Sequence, residues 1–211
     1  EEVIVGVIHS DGTRTLDYTP YADAWMAANW NLTEPLAAEY TTDVIEHIIP
    51  YIDEQFSTLA DKSNRAFMGA SLGGLQAAWA ISNYSENFSM VAAFSPSFWA
   101  GDYGIFNEDF SKDKALKIWF DMGTAEWNYY VPLQSKLLSE GYAYGEDVFY
   151  YEVPGGTHEV SAWKARVQYP LIAFFGKDED FTPQKMEINT EVIPSQSYVS
   201  LLFLRINPIV I

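Results

Sequence analysis

A serine between two glycines, a histidine behind a Gly-Gly-Thr run and two carboxylates lying between them in the chain are the residues whose types and order could do covalent chemistry. Ser71 stands in Gly69-Ala70-Ser71-Leu72-Gly73, after the apolar run Ala66 to Met68 and before the Ala-rich stretch Leu75 to Ala80. A strand, a tight turn and a helix in that order hold a serine hydroxyl out at the turn. Small neighbours let the chain pass closely, and the helix N-terminus faces developing negative charge. Ser71 could also serve as a plain helix cap, but a strand before it and a helix after it favour a nucleophile elbow.

A serine hydroxyl is a poor nucleophile at neutral pH, so it needs a base, and a third group must orient that base. The chain has three histidines. His158 lies in Pro154-Gly155-Gly156-Thr157-His158-Glu159, a loop after the last strand of the apolar pattern. His9 reads as a turn residue near a strand end and His47 as surface on a helical stretch. Elbow hydrolases run serine, acid, histidine along the chain, and His158 alone meets that order. The acid is sought in Trp119 to Trp127, where Asp121 ends a strand and Glu126 follows a Gly-Thr turn. Glu126 is favoured because it can reach back toward the histidine loop, with Asp121 as the alternative acid. Asp147 and Glu159 are weaker candidates. The Leu72 amide, directly after the serine, is the expected oxyanion donor. Phe98, Trp99 and Trp127 could flank a substrate, packing under loops being their other use.

The elements that must hold these residues alternate. Val3 to Ile8, the run before Ser71, Met90 to Phe94, Leu116 to Phe120 and Val148 to Val153 are short and apolar, so each reads as a buried parallel strand. Helical spacing covers Pro35 to Ser57 with a kink at Pro50, Leu72 to Asn83, Tyr129 to Ser139 and Ser161 to Phe175. This is an α/β pattern, a mostly parallel sheet with helices on both faces. Residues 1–182 form the hydrolase-like unit and 183–211 a β-like C-terminal extension, with strand-like segments at Lys185 to Ile193 and Tyr198 to Ile206 around a turn at Pro194-Ser195. Roughly thirty residues cannot build a core alone, so this tail packs on the main unit, pairs with another chain to make a homo-oligomer, or belongs to a longer module.

Composition narrows the function. A chain of 211 residues, nearly half hydrophobic, suits one substantial domain. A net charge of -17 repels nucleic acid and anionic membranes across the whole surface. The absence of cysteine excludes disulfides and thiolate chemistry. No second histidine stands at zinc-protease spacing beside His158, and there is no calcium loop or phosphate-binding loop, so neither metal nor cofactor is expected. The chain opens on no signal segment and carries no bilayer-length apolar run.

Taken with Ser71, Glu126 and His158, several segments resemble the esterase branch of the α/β-hydrolase fold that includes feruloyl, acetylxylan and enterochelin esterases. They are Val3 to Val7 followed by Arg14-Thr15-Leu16-Asp17-Tyr18-Thr19-Pro20, Ile49 to Ile52, the elbow Gly69 to Leu75, and Ser95-Pro96-Ser97-Phe98-Trp99. The acid turn Gly123 to Glu126 and the loop Gly155 to His158 with Trp163 and Lys164 complete the set. The resemblance covers about residues 2 to 176 and implies a serine carboxylesterase with Glu126 as triad acid, acting on a small-molecule ester that is carbohydrate-linked or aromatic. It tilts the location toward secretion or the periplasm. Members of this group carry further strands and a loop before the Val3 strand, and that loop lends an oxyanion amide. The sheet edge and second donor are therefore expected from elsewhere or from a preceding segment. Two other functions use the same residues: an impaired hydrolase that binds a glycan or partner, and an acyltransferase.

Overall fold

The computed structural model describes residues 3–10, 12–126, 131–176 and 199–205. Its strands are β1 (Val3–His9), β2 (Arg65–Ala70), β3 (Met90–Phe94), β4 (Lys117–Gly123), β5 (Val148–Val153) and β6 (Val199–Arg205). The α-helical segments are α1 (Arg14–Asp17), α2 (Ala24–Trp30), α3 (Ala37–Asp43), α4 (Ile49–Gln55), α5 (Leu72–Asn83), α6 (Ala100–Tyr103), α7 (Val131–Ser139), α8 (Val160–Lys164) and α9 (Gln168–Phe175). The strands form one sheet in the order β1-β6-β2-β3-β4-β5. Strands β2 to β5 run parallel, with Ala92 of β3 beside Met68 and Trp119, and Trp119 beside Phe149.

Alternation along these four strands explains why their sequences are apolar throughout. Phe67, Val91, Phe120 and Val148 face one cluster with Ile52 of α4, Leu75 and Ile81 of α5 and Leu137 of α7. Met68, Ala92, Trp119 and Phe149 face the other, closed by Trp163 of α8 and Phe174 and Phe175 of α9. With both faces buried, a strand has no polar side to show, as parallel sheets require. The helices that cover them leave the C-terminal strand ends open, where loops can gather reactive side chains.

Three expectations change. Val3 to Ile8, read as a buried parallel strand, is instead the sheet's edge, antiparallel to β6, with Val5 and Val7 exposed. A continuous apolar run looks the same on an edge strand as in the interior, and only the tertiary pairing separates them. The tail supplies that pairing: β6 lies between β1 and β2, antiparallel to both. The Lys185 to Ile193 segment and the Pro194-Ser195 turn lie outside the described residues. In the second change, Pro35 to Ser57 is helical over Ala37 to Gln55 but widens into a π turn at Val44–Ile48. Pro50 has no N–H to donate and its ring crowds the preceding turn, so the wider turn carries the helix through it. The third is a break: Ser161 to Phe175 is two helices, α8 and α9, separated by a turn that contains Arg166. Tyr129 and Tyr130 lie outside the described residues, and α7 is seen from Val131.

Candidate active site

Four strand ends meet around one crevice. Ser71 joins β2 to α5 with φ 59° and ψ -123°, a left-handed backbone that costs a non-glycine residue on the order of 1–3 kcal/mol. Close crossing of the turn's two sides makes this conformation possible. A Cβ on Gly69 would stand 2.2 Å from the Gly73 carbonyl oxygen, a contact no side chain tolerates. The Ser71 amide donates to Phe94 O of β3 at 2.9 Å, and the Gly74 and Leu75 amides donate to Ser71 O at 3.0 and 3.1 Å. Leu72 opens α5, and a helix offers its first amides no acceptor of its own. Its N–H, on the residue directly after Ser71, thus has nothing intrahelical to bind.

The histidine loop and acid turn are joined by three hydrogen bonds, two of them backbone to backbone. Thr124 N–H donates to Val153 O at 2.9 Å, Ala125 N–H to Gly156 O at 3.1 Å, and Gly155 N–H to Thr124 Oγ1 at 2.7 Å. The approach is close enough that a Cβ on Gly123 would lie 2.1 Å from Gly156 O. Glu126 and His158 are brought into register by these bonds. His158 Nε2 is 2.9 Å from Ser71 Oγ, and His158 Nδ1 is 2.7 Å from Glu126 Oε2. A carboxylate only accepts, so Nδ1 carries the proton and Nε2 is left free to accept from the serine.

The two ends of this chain differ in exposure. The His158 side chain is 46% exposed and that of Glu126 is 4% exposed. Burial pushes the Glu126 carboxyl upward, but hydrogen bonds from His158, Ser95 and the Gly123 amide together hold it below its ordinary value. Ser95 Oγ and Gly123 N–H reach Glu126 Oε1 at 2.8 and 2.9 Å.

Asp121, the alternative acid, is not near the histidine but beneath the crevice. Both its side chain and that of Arg166 are 0% exposed, paired at 2.9 Å. Trp119 Nε1 and the Ser95 amide donate to the same carboxylate at 3.1 and 3.2 Å. Strand alternation explains the separation: Asp121 lies on the same side of the sheet as Trp119, whereas Glu126 lies beyond the strand on the turn.

The crevice encloses about 430 Å³, and Trp30, Trp99, Pro96 and Met122 wall it beside Ser71 and His158. Trp99 also borders a neighbouring cavity of about 700 Å³ lined by Trp25 and Tyr103. Trp25, Trp30 and Trp99 pack edge to face in a trio, with centroids 5.1 to 5.7 Å apart. Phe98, expected at the substrate, is instead 2% exposed and packed in the core against Phe106, in the turn that leads into α6. Trp127 lies outside the described residues. His9 and His47 are both exposed, on β1 and the π turn, and neither lines this crevice. Among the described residues no group of three or more His, Asp or Glu side chains could hold a metal ion.

Sequence reading passed over Ser95, Ser97, Trp30 and Arg166 as parts of the site. Ser97 Oγ lies 3.2 Å from Ser71 Oγ. The Ser-Pro-Ser run after β3 was visible, but hydroxyls are common in turns, and their roles depend on partners far away in sequence.

Beyond this geometry, the sequence model of the family described as Putative esterase matches residues 1–173. The chain belongs to that esterase family. Among curated proteins it is similar to the uncharacterized protein YbbA of Bacillus subtilis (strain 168), 29% identical over 99 residues, which is 47% of this chain and 39% of that protein. Among solved structures this family member resembles the BES protein from Bacillus cereus, at 21% identity and a TM-score of 0.59, over 78% of this chain and 64% of that one. The enterobactin esterase FES from Shigella flexneri, determined in the presence of enterobactin, aligns at 19% identity and a TM-score of 0.56, over 82% and 54% of the two chains. The chain thus spans about two fifths of the curated relative it matches. The structural likenesses bear on the fold, which they share as an α/β sheet with covering helices.

Proposed function

We propose that this family member is a serine carboxylesterase that works through Ser71, His158 and Glu126. The observation that carries the reading is the unbroken run from Ser71 Oγ through the His158 ring to Glu126, at 2.9 and 2.7 Å, on a left-handed serine at the head of a helix. On this reading Ser71 Oγ attacks the ester carbonyl while His158 Nε2 takes its proton. Glu126 holds the imidazole with Nδ1 protonated and stabilises the imidazolium as it forms. The Leu72 N–H donates to the developing oxyanion. Collapse expels the alcohol with the proton from His158, leaving an acyl-serine. Water then repeats the sequence, releasing the acid and restoring Ser71.

The substrate that fits is a small-molecule ester with a bulky, flat, uncharged part, carbohydrate-linked or aromatic. Indole faces at Trp30 and Trp99 suit such a part, and the net charge of -17 disfavours anionic groups. The presence of an enterobactin esterase among the structural relatives supports a small-molecule ester in general terms. Turnover of p-nitrophenyl acetate by wild type and by Ser71→Ala tests the reading: the variant is expected to lose about 10⁴-fold or more in kcat while still folding. Equal rates would reject Ser71 as the nucleophile.

A further inference from the structure

Ser95 makes more hydrogen bonds than a loop serine needs, and their directions can be assigned. Trp163 Nε1–H reaches Ser95 Oγ at 3.0 Å and an Arg166 guanidinium nitrogen reaches it at 2.8 Å. Indole and guanidinium are donors only, so both bonds run toward the serine oxygen. A hydroxyl offers two lone pairs and one proton, and these donors use the lone pairs. The single proton is then directed at the remaining neighbour, Glu126 Oε1, at 2.8 Å.

Neither donor is free to turn away. Arg166 is tied to Asp121 Oδ1 at 2.9 Å and to Ala162 O at 3.1 Å, and it is fully buried. Trp163 packs edge-on to the His158 ring, centroids 5.0 Å apart at 90°. The Ser95 backbone is itself pinned to β4, its amide donating to Asp121 O at 3.0 Å. The second bond to Glu126 Oε1, from the Gly123 amide at 2.9 Å, fills the same oxygen and leaves Oε2 for His158. A carboxylate so nearly closed off from water depends on these donors to stay ionised and correctly turned.

We infer that Ser95 is a positioning residue: fed by Arg166 and Trp163, its hydroxyl donates one way into Glu126 Oε1 and so fixes the carboxylate oxygen that His158 Nδ1–H meets. The buried Asp121–Arg166 pair thereby acts on the site at second hand, through Ser95. This inference rests on the esterase reading for its kinetic consequence but not for its spectroscopic one.

The test measures p-nitrophenyl acetate kinetics and the far-downfield proton resonance of His158 Nδ1–H in resting wild type, Ser95→Ala and Trp163→Phe. Ser95→Ala is expected to lower kcat about tenfold, the scale of one hydrogen bond to a charged group, with KM unchanged and the resonance shifted upfield. Trp163→Phe, which leaves Arg166 in place, is expected to show the same changes at a smaller size. Wild-type kcat and an unmoved resonance in Ser95→Ala overturn the inference, as does a kcat loss that merely tracks a fall in Tm with the resonance unmoved. Should Ser95→Ala not fold, the same readings in Trp163→Phe decide. A wild type that turns over no ester overturns the esterase reading alone, because the resonance still reports whether Ser95 orients the Glu126–His158 pair.

Discussion

The sealed space beneath the ends of β3 and β4 and the open crevice above it each hold a carboxylate against a nitrogen base, and they use the pair differently. Below, Asp121 meets a permanent cation, Arg166, with both side chains out of water. Burial pushes the Asp121 carboxyl up, while Arg166, Trp119 and the Ser95 amide pull against that shift. Above, Glu126 meets an imidazole whose other edge faces solvent and a serine hydroxyl. A guanidinium cannot give up its proton in a protein, whereas an imidazole can take a proton at one ring nitrogen while the other donates. The first arrangement cannot move a proton and reaches the site only at second hand, through Ser95, whereas the second can move one. Ser95 touches both, which makes the boundary between them one hydroxyl wide.

Substitutions should separate the two regions by what they damage. The largest effect is expected from Glu126→Gln, which keeps the shape but loses the acceptor that sets the histidine tautomer. Its kcat should fall about 10³- to 10⁴-fold, with a loss of urea stability small beside that expected of Arg166→Met. A kcat near that of wild type would erase the distinction, because Glu126 would then be as structural as Asp121. Next is Arg166→Met, which leaves Asp121 buried without its cation. Urea denaturation should show a loss of about 3–5 kcal/mol, the cost of stranding one member of a buried pair. A stable Arg166→Met protein would mean that Asp121 takes up a proton or a water at little cost, and the sealed region would lose its structural role.

The smallest effect concerns pH. The Glu126 carboxyl is held below its ordinary value of 4.5, so the folded state favours its ionised form more than the unfolded chain does. The stability this contributes is complete above that ordinary value and is lost as pH falls through the lower folded one. The Tm difference between wild type and Glu126→Gln should therefore stay level near neutral pH and shrink as the solution is acidified below 4.5. A difference that begins to change well above that value would show a raised carboxyl and contradict the hydrogen-bond account.

How much of this was legible in the chain depends on how local the cause is. Helix α5 begins and ends at the expected Leu72 and Asn83, because the elbow glycines and the Ala-rich face are short-range signals. The four parallel strands likewise follow from apolar runs bounded by turns. Chain order was enough to bring Ser71, Glu126 and His158 forward as candidates, and the folded chain places them within hydrogen-bond reach. Long-range pairing was hidden. Nothing in Val3 to Ile8 says that a strand near residue 200 will lie beside it, so an edge was read as interior. Nor does Arg166 announce in sequence that its guanidinium will run to Asp121 of β4. Phe98 shows the same limit at a smaller scale: next to Trp99 in sequence, it is buried in the core while Trp99 reaches the crevice.

The central claim is that Ser71 becomes acylated because His158 and Glu126 activate it. Intact mass and peptide mapping after treatment with a fluorophosphonate test it most directly, since the probe forms a stable covalent adduct only with an activated serine. The account predicts one adduct per chain, mapped to Ser71, absent in Ser71→Ala and formed far more slowly in Glu126→Gln. A wild-type chain that stays unmodified, or an adduct that maps to Ser95 or Ser97, would contradict it.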